Sequence, residues 1–498
     1  MSNSAKVKEL YSLISSINPK YKFFNNITPL ETLLLNTKEG SKLITYALKD
    51  NISSKEHPLT CSSNILNGYK PNYDSTVNKL LKQQNNWINL GKLNLDEFGM
   101  GSGGVHSNNG VVINPLYDPI TLNNNKNNTN IETRVAGGSS SGAAALCSAK
   151  PTFSTENLPF ERLAHFTLGT DTGGSVRLPA AWCNVSSFKP SYGRISRFGV
   201  LPYAQSLDTV GIISSDLNII SQVYGILDKF DEKDPTSMSK SLRKHVKDRD
   251  YGEDNDIISI GLIKEFNLND IPKATKDIYY DFLQKLMEMN EIFEIKKVSV
   301  NSINNSLPIY FTLAPAEAAS NLARFDGLRY GADGNETVES DLKEDGMFVK
   351  SRSLFGEEVQ KRILLGNYNL SSELYDNKYK KAQVLRTELI NDFSSVFKDE
   401  HPVYPTHFKA KKDPVDVIIS LTSTDKTPLL SDFLKSNSVS PLDEFCNDIF
   451  TIPMSLAGLP VISIPIKDTG ISIQILGQFG FDEKVLRIAQ KIENLLLK

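Results

Sequence analysis

The sequence predicts an α/β fold. Three observations carry this: apolar runs of strand length recur along 498 residues, glycine-rich turns punctuate them, and longer amphipathic segments follow them. Leu43 to Leu48 reads as a strand that ends in Lys49-Asp50-Asn51. Ala164 to Leu168 is apolar enough for a buried strand, and Ser175 to Asn184 begins a helix. Asp231 to Asp256 is charged and turn-rich, which predicts an exposed connection over 231–256. Beyond it, Ile257 to Ile263 reads as a strand, Thr275 to Met289 as an amphipathic helix and Ile295 to Val300 as a strand. Tyr375 to Phe397 forms a long helix, Val461 to Pro465 and Ile471 to Leu476 are closing strands, and Glu483 to Leu497 is a terminal helix. Length leaves two or three domains open beside one large sheet.

Composition narrows the function classes. An apolar share of 40% and a charged share of 23% are those of a soluble globular chain. The net charge of −3 gives no general basic field for wrapping RNA, and no DNA contact is expected. No run of 18 or more apolar residues appears, so no membrane span is expected. Cys61, Cys147, Cys183 and Cys446 are scattered, with no C-x-x-C and no histidine at ligand spacing, which predicts reduced thiols and no metal site. The N-terminal sixteen residues hold two lysines and no arginine, a poor presequence.

The chemistry concentrates in two glycine/serine turns. Gly169 to Arg177 puts Ser175 behind Gly173 and Gly174 at a strand-to-helix turn. There the backbone N–H groups of Thr172, Gly173 and Gly174 can converge on an oxyanion, whereas a lone G-G-S is otherwise a tight turn with a helix N-cap. Gly137 to Ala145 is a second such turn, which by itself reads as a flexible loop. Lys49 at a strand end is ordinarily solvated. Drawn inside beside the serines, it would lose its charge to desolvation and could serve as a base, with Ser139 passing the proton and Ser175 attacking a carbonyl carbon.

These segments, with Pro179-Ala180-Ala181 and Lys189 to Arg194, resemble the amidase-signature family. The resemblance implies one large mixed β-sheet covered by helices on both faces over 41–498, after a shortened N-terminal segment, 1–40. It implies a Ser-Ser-Lys triad of Ser175, Ser139 and Lys49, with an unusual cis peptide at Ser139 and the oxyanion hole at Thr172, Gly173 and Gly174. Within the family the chain is similar to the A subunits of glutamyl-tRNA(Gln) amidotransferases through Gly91 to Gly101, Ser196 to Gly199, Ser206 to Asp208, Pro315 to Gly327, Gly356 to Ile363 and Asn447 to Pro453. That similarity places the glutamine α-carboxylate on Arg362 and its α-amino group on Asp448, with Tyr310 lining the pocket; a guanidinium and a carboxylate suit the two ends of an amino acid. It also implies a B subunit that uses ATP and Mg2+ on Glu-tRNA(Gln), a small third subunit, no cofactor in this chain and a place in the mitochondrial matrix.

The chain departs from the family pattern in places. Ser141 stands where a glycine is usual, Ser139 and Ser175 are 36 residues apart, and 119–132 and 151–162 read as inserted loops. Readings from other classes remain. Gly138-Ser139-Ser140-Ser141-Gly142 satisfies G-x-S-x-G with Ser140 as nucleophile, for which His401 or His407 could serve as base. A free-standing amidase with another substrate, or a non-catalytic assembly subunit, would keep the same shape.

Overall fold

The computed structural model describes residues 1–117, 120–121, 132–152, 161–249, 257–266, 271–332, 347–404, 413–439 and 446–497. Helix α1 (Asn3–Tyr21) is capped by Ser2 and leads through β1 (Phe24–Ile27) and α2 (Leu30–Leu35) to β2 (Ile44–Lys49). There follow α3 (Thr76–Lys82), β3 (Trp87–Leu93), β4 (Ile120–Thr121), α4 (Ser141–Ser148) and β5 (Pro151–Thr152). The glycine-rich half closes with β6 (Phe166–Asp171), α5 (Arg177–Trp182), β7 (Ser186–Lys189), β8 (Thr209–Ser214) and α6 (Leu217–Leu227). The second half runs α7 (Lys240–Lys247), β9 (Ile258–Ile263), α8 (Lys273–Glu288), β10 (Phe293–Val298), α9 (Ser306–Leu322), α10 (Met347–Arg352), α11 (Glu357–Asn369) and α12 (Lys381–Val396). It ends with β11 (Val417–Leu421), α13 (Leu430–Val439), a short helix Ile452–Leu456, β12 (Val461–Ile466), β13 (Ile471–Leu476) and a helix Asp482–Ile492.

Among the described residues, eleven strands form one mixed sheet in the order β1-β3-β2-β6-β8-β7-β12-β13-β11-β9-β10, and β4 pairs with β5 apart from it. Strands β3, β2 and β6 are mutually parallel, as are β10, β9 and β11, and antiparallel pairings join these blocks. Alternation along each strand feeds both faces. Ile44, Tyr46 and Leu48 belong to the core cluster that includes α6 and the C-terminal helix, while Ala47 belongs to the one that includes α1 and α4. Helices therefore cover both faces, as the α/β reading expects.

Several boundaries differ from the sequence reading for local reasons. The strand expected from Ala164 runs from Phe166 to Asp171, because Gly169 pairs with Gly211 of β8 and the ladder continues to Asp171 opposite Thr209. The helix expected from Ser175 starts at Arg177. The strand expected over Ile295 to Val300 lies two residues earlier, set by parallel register with β9. Residues 1–40 supply α1, β1 and α2, and β1 is the edge strand beside β3. Within the charged stretch 231–256, α7 forms, and Asp231 accepts from Thr76 and Ser196 while Asp234 accepts from the Arg197 N–H at 2.8 Å. Most of the two inserted segments, 119–132 and 151–162, lies outside the described residues; their described ends pair in parallel, Ile120 with Pro151. Cys61, Cys147 and Cys183 are buried free thiols.

One helix crossing bears directly on the site. Pro315 inside α9 cannot donate to the Phe311 carbonyl. Asn369 of α11 supplies that bond instead, donating at 3.2 Å to both Phe311 O and Thr312 O. Gly366 lets the α11 backbone lie directly against Pro315, where a Cβ would overlap the Pro315 carbonyl. Tyr310 on α9 and Arg362 on α11 are thereby held side by side.

Candidate active site

Parallel pairing of β2 with β6 brings their carboxyl ends to one edge, with Leu48 opposite Leu168. Lys49 leaves the end of β2 and is fully buried. Its Nζ lies 2.7 Å from Ser139 Oγ and donates to Thr170 O at 3.3 Å. Burial lowers its pKa to about 7, against the opposing pull of Asp96, Asp171 and Asp208. An amine poised there can hold or release a proton near neutrality.

Ser139 sits in the turn before α4, is buried, and follows a cis Gly138–Ser139 peptide. Its carbonyl accepts from Asp96 N at 3.2 Å, and Asp96 in turn accepts from Gly104 N and His106 N. Ser141, where the family usually has glycine, is the first residue of α4, and the turn forms with it. The next loop is tied to this one, since Ser140 N donates to Ser175 O at 3.0 Å. Ser175 is half-buried, more open than either Ser139 or Lys49.

A buried ion pair shapes the Ser175 turn. Arg177 donates through Nε and NH2 to the two Asp171 oxygens at 2.9 and 2.8 Å, and both residues are fully buried. Arg177 also donates to Thr451 O at 2.9 Å and Ser455 Oγ at 2.7 Å, fastening the turn to the helix Ile452–Leu456. Burial pushes the Asp171 carboxyl up, but the Arg177 charge outweighs it and holds the pKa below its ordinary value. The sequence reading assigned no role to this pair. Its signal was present: two opposite charges flank a glycine turn six residues apart.

Across the turn stand Tyr310 and Asp448, two of the three residues expected to bind substrate. Added Cβ atoms on the glycines measure how close: at Gly173 one would lie 2.8 Å from the Tyr310 hydroxyl, and at Gly174 one would lie 2.5 Å from Asp448 Oδ1 and overlap Thr451 Oγ1. Asp448 is half-buried, and desolvation and the Asp171 charge push its pKa up to about 8. Arg362 is held by Glu358, which accepts from Nε at 2.8 Å, by Tyr203, whose hydroxyl accepts at 2.9 Å, and by the Phe311 ring beneath the guanidinium. Tyr203 and Tyr310 share a hydrogen bond, and burial keeps the Tyr310 phenol neutral. The structure thus brings Lys49 against Ser139 and sets Tyr310 and Asp448 beside Gly173 and Gly174, with Arg362 joined to Tyr310 through Tyr203. Tyr203, Glu358 and Thr451 also hold this pocket together, and the sequence reading left them without a role.

The Ser-His-Asp alternative finds no support here. Ser140 is fully buried with its hydroxyl donating to Thr170 O at 3.3 Å, and His401 stacks on Tyr404 and Phe479. His407 lies outside the described residues. Among the described residues no group of three or more His, Cys, Asp or Glu side chains could hold a metal ion, and no helix is long and apolar enough to cross a membrane.

A family model described as amidase matches residues 43–486. The A subunit of the mitochondrial glutamyl-tRNA(Gln) amidotransferase from Eremothecium gossypii is 41% identical over 478 residues, covering 95% of this chain and 96% of that one. Its counterpart in Candida albicans is 41% identical over 481 residues, covering 96% and 98%. The crystal structure of the A subunit of a glutamyl-tRNA(Gln) amidotransferase from Thermotoga maritima superposes with a TM-score of 0.72 at 28% identity, covering 98% of this chain and 90% of that one.

Proposed function

The chain belongs to the amidase family, and on that premise we propose that it is the glutamine-hydrolysing A subunit of a mitochondrial glutamyl-tRNA(Gln) amidotransferase. The observation that carries the reading is the pairing of two unlike devices at one glycine turn. A depressed lysine amine stands 2.7 Å from a buried serine on one side, and a guanidinium and a carboxyl stand on the other. A relay alone would serve any amide. The second pair matches the opposite charges of a free amino acid.

In this reading the glutamine α-carboxylate binds Arg362 and its α-ammonium binds Asp448, which directs the side-chain amide at Ser175. Ser175 Oγ attacks the amide carbon while its proton passes to Ser139, whose own proton passes to the neutral Lys49 amine. Backbone N–H groups at Thr172, Gly173 and Gly174 bind the oxyanion, aided by a turn already fixed through Arg177. The C–N bond breaks as the leaving nitrogen takes a proton back through Ser139, and ammonia departs. Water then attacks the glutamyl ester, and glutamate leaves.

The ammonia would pass to a B subunit that activates Glu-tRNA(Gln) with ATP and Mg2+, within an assembly that includes a small third subunit in the mitochondrial matrix. Any tRNA contact would fall mainly to that partner.

The test is glutamate release from glutamine by the purified chain, alone and with its native partners, Glu-tRNA(Gln) and ATP, beside a Ser175→Ala control. Release that needs Ser175 and rises with the partners supports the reading. A folded, assembled chain that releases none would turn the assignment to an amidase with another substrate.

A further inference from the structure

Asp208 stands between the two halves of this site, and no step above uses it. It is 3% exposed. One oxygen accepts from Thr172 Oγ1 at 2.6 Å, on the oxyanion turn. The other accepts from Tyr203 N at 2.9 Å and Ala204 N at 3.1 Å. Tyr203 is the residue whose hydroxyl accepts from Arg362, and it is bonded to Tyr310 as well. A single carboxylate thus touches the turn that would hold the oxyanion and the residue that holds the α-carboxylate clamp.

The segment around it is tied to two helices. Ser206 N donates to Glu317 of α9 at 2.9 Å, and Arg386 of α12 donates to Ser206 Oγ and Ser206 O at 2.9 Å each. One residue after Asp208, Thr209 opens β8 directly opposite Asp171, the last residue before the oxyanion turn. Asp208 supplies the acceptor for the Thr172 hydroxyl from this tied loop.

We propose that Asp208 is a positioning residue that couples the Arg362 clamp to the oxyanion turn, so that the grip on the substrate α-carboxylate and the placing of the backbone donors move together. The proposal rests on the functional reading above for the identity of the clamped group, but its geometry does not.

The experiment therefore uses a probe that needs no α-groups. An alkyl phosphonofluoridate reacts at Ser175 by forming an O–P bond and expelling fluoride, and its charge develops on an oxygen facing the same turn. Labelling rates would be measured on the full chain in its native complex for Asp208→Asn, Thr172→Val, Tyr203→Phe and the Thr172/Tyr203 double variant. Asp208→Asn and Thr172→Val are expected to slow labelling at least about tenfold, the scale of a misplaced oxyanion donor. Tyr203→Phe is expected to slow it too, and the double variant is expected to fall short of the product of the single effects. Wild-type rates in Asp208→Asn, or in Tyr203→Phe, would overturn the coupling, as would effects that multiply. Should Asp208→Asn fail to fold, the Thr172/Tyr203 cycle decides alone. A wild-type chain that is labelled at Ser175 but releases no glutamate from glutamine would defeat the functional reading while leaving this test intact.

Discussion

Lys49 Nζ lies 2.7 Å from Ser139 Oγ with both side chains shut off from solvent. In the proposed mechanism the bond matters because it joins the base to a serine buried away from solvent. Ser139 then acts as a relay, and Lys49 accepts a proton only when it is neutral. Burial lowers the lysine to about 7, so the amine is uncharged above that pH and cationic below it. We predict that phosphonofluoridate labelling of Ser175 rises with pH through about 7 and then levels off. Lys49→Arg, which stays charged at every accessible pH, should lose about 10²- to 10⁴-fold and show no such limb. A wild-type limb near the ordinary lysine value of 10.5 would refute the neutral-amine relay.

Asp448 gives a second and separable pH dependence. Its carboxyl is pushed up to about 8, by desolvation first and by Asp171 next. An α-ammonium needs the carboxylate, so below that pH binding must expel a proton. We predict that in Ser175→Ala, which binds without turnover, the glutamine Kd falls as pH rises, about tenfold per unit below 8 and flattening above it. Asp448→Asn should bind weakly with no pH slope over the same range. Calorimetric titration would decide, and a slope that survives in Asp448→Asn would assign the proton elsewhere.

Much of this site was legible in the sequence, and what was missed has a common cause. Lys49, Ser139 and Ser175 lie in or beside segments whose composition marks a turn, and the resemblance to known amidases supplied Arg362, Asp448 and Tyr310. The strands and helices followed from apolar period, with ends wrong by two residues where register decides them, as at Phe293–Val298. The supporting residues were not legible. Arg177 reaches Thr451 and Ser455 across more than 270 residues of chain, and Asp208 meets Thr172 across 36. Such contacts depend on the order of strands in the sheet, which no local pattern encodes. The brace on Phe311 by Asn369 is of the same kind: Pro315 announces the missing donor, but only the crossing of α9 and α11 says who replaces it.

The Asp171 and Arg177 pair should be structural as well as functional. Arg177→Met would leave a buried carboxylate without its guanidinium, and we predict a loss of roughly 3–5 kcal/mol in urea unfolding together with loss of labelling at Ser175. The pair Asp171→Leu with Arg177→Met removes both charges and is expected to recover most of the stability, because apolar groups of similar volume replace buried ion pairs at little cost. Activity should stay lost in that double variant, since the bonds that fasten the turn to Thr451 and Ser455 are gone. Recovery of activity along with stability would mean that the pair only keeps the chain folded.

Glycine positions offer a paired test of the pocket. At Gly174 an added methyl would lie 2.5 Å from Asp448 Oδ1 and overlap Thr451 Oγ1, and at Gly173 it would lie 2.8 Å from the Tyr310 hydroxyl. Neither neighbour can retreat freely, because Thr451 is held by Asp448 and Tyr310 by Tyr203. Gly174→Ala should therefore cost about 1–3 kcal/mol of stability by overpacking and weaken glutamine binding to Ser175→Ala at least about tenfold. Gly225 in α6 provides the contrast, with nothing within 4 Å of an added Cβ and a helical backbone. Gly225→Ala should raise stability by roughly 0.5–1 kcal/mol and leave glutamine affinity alone. If Gly174→Ala binds glutamine as tightly as its parent, the pocket does not close on this turn, and the placing of the α-amino group on Asp448 falls with it.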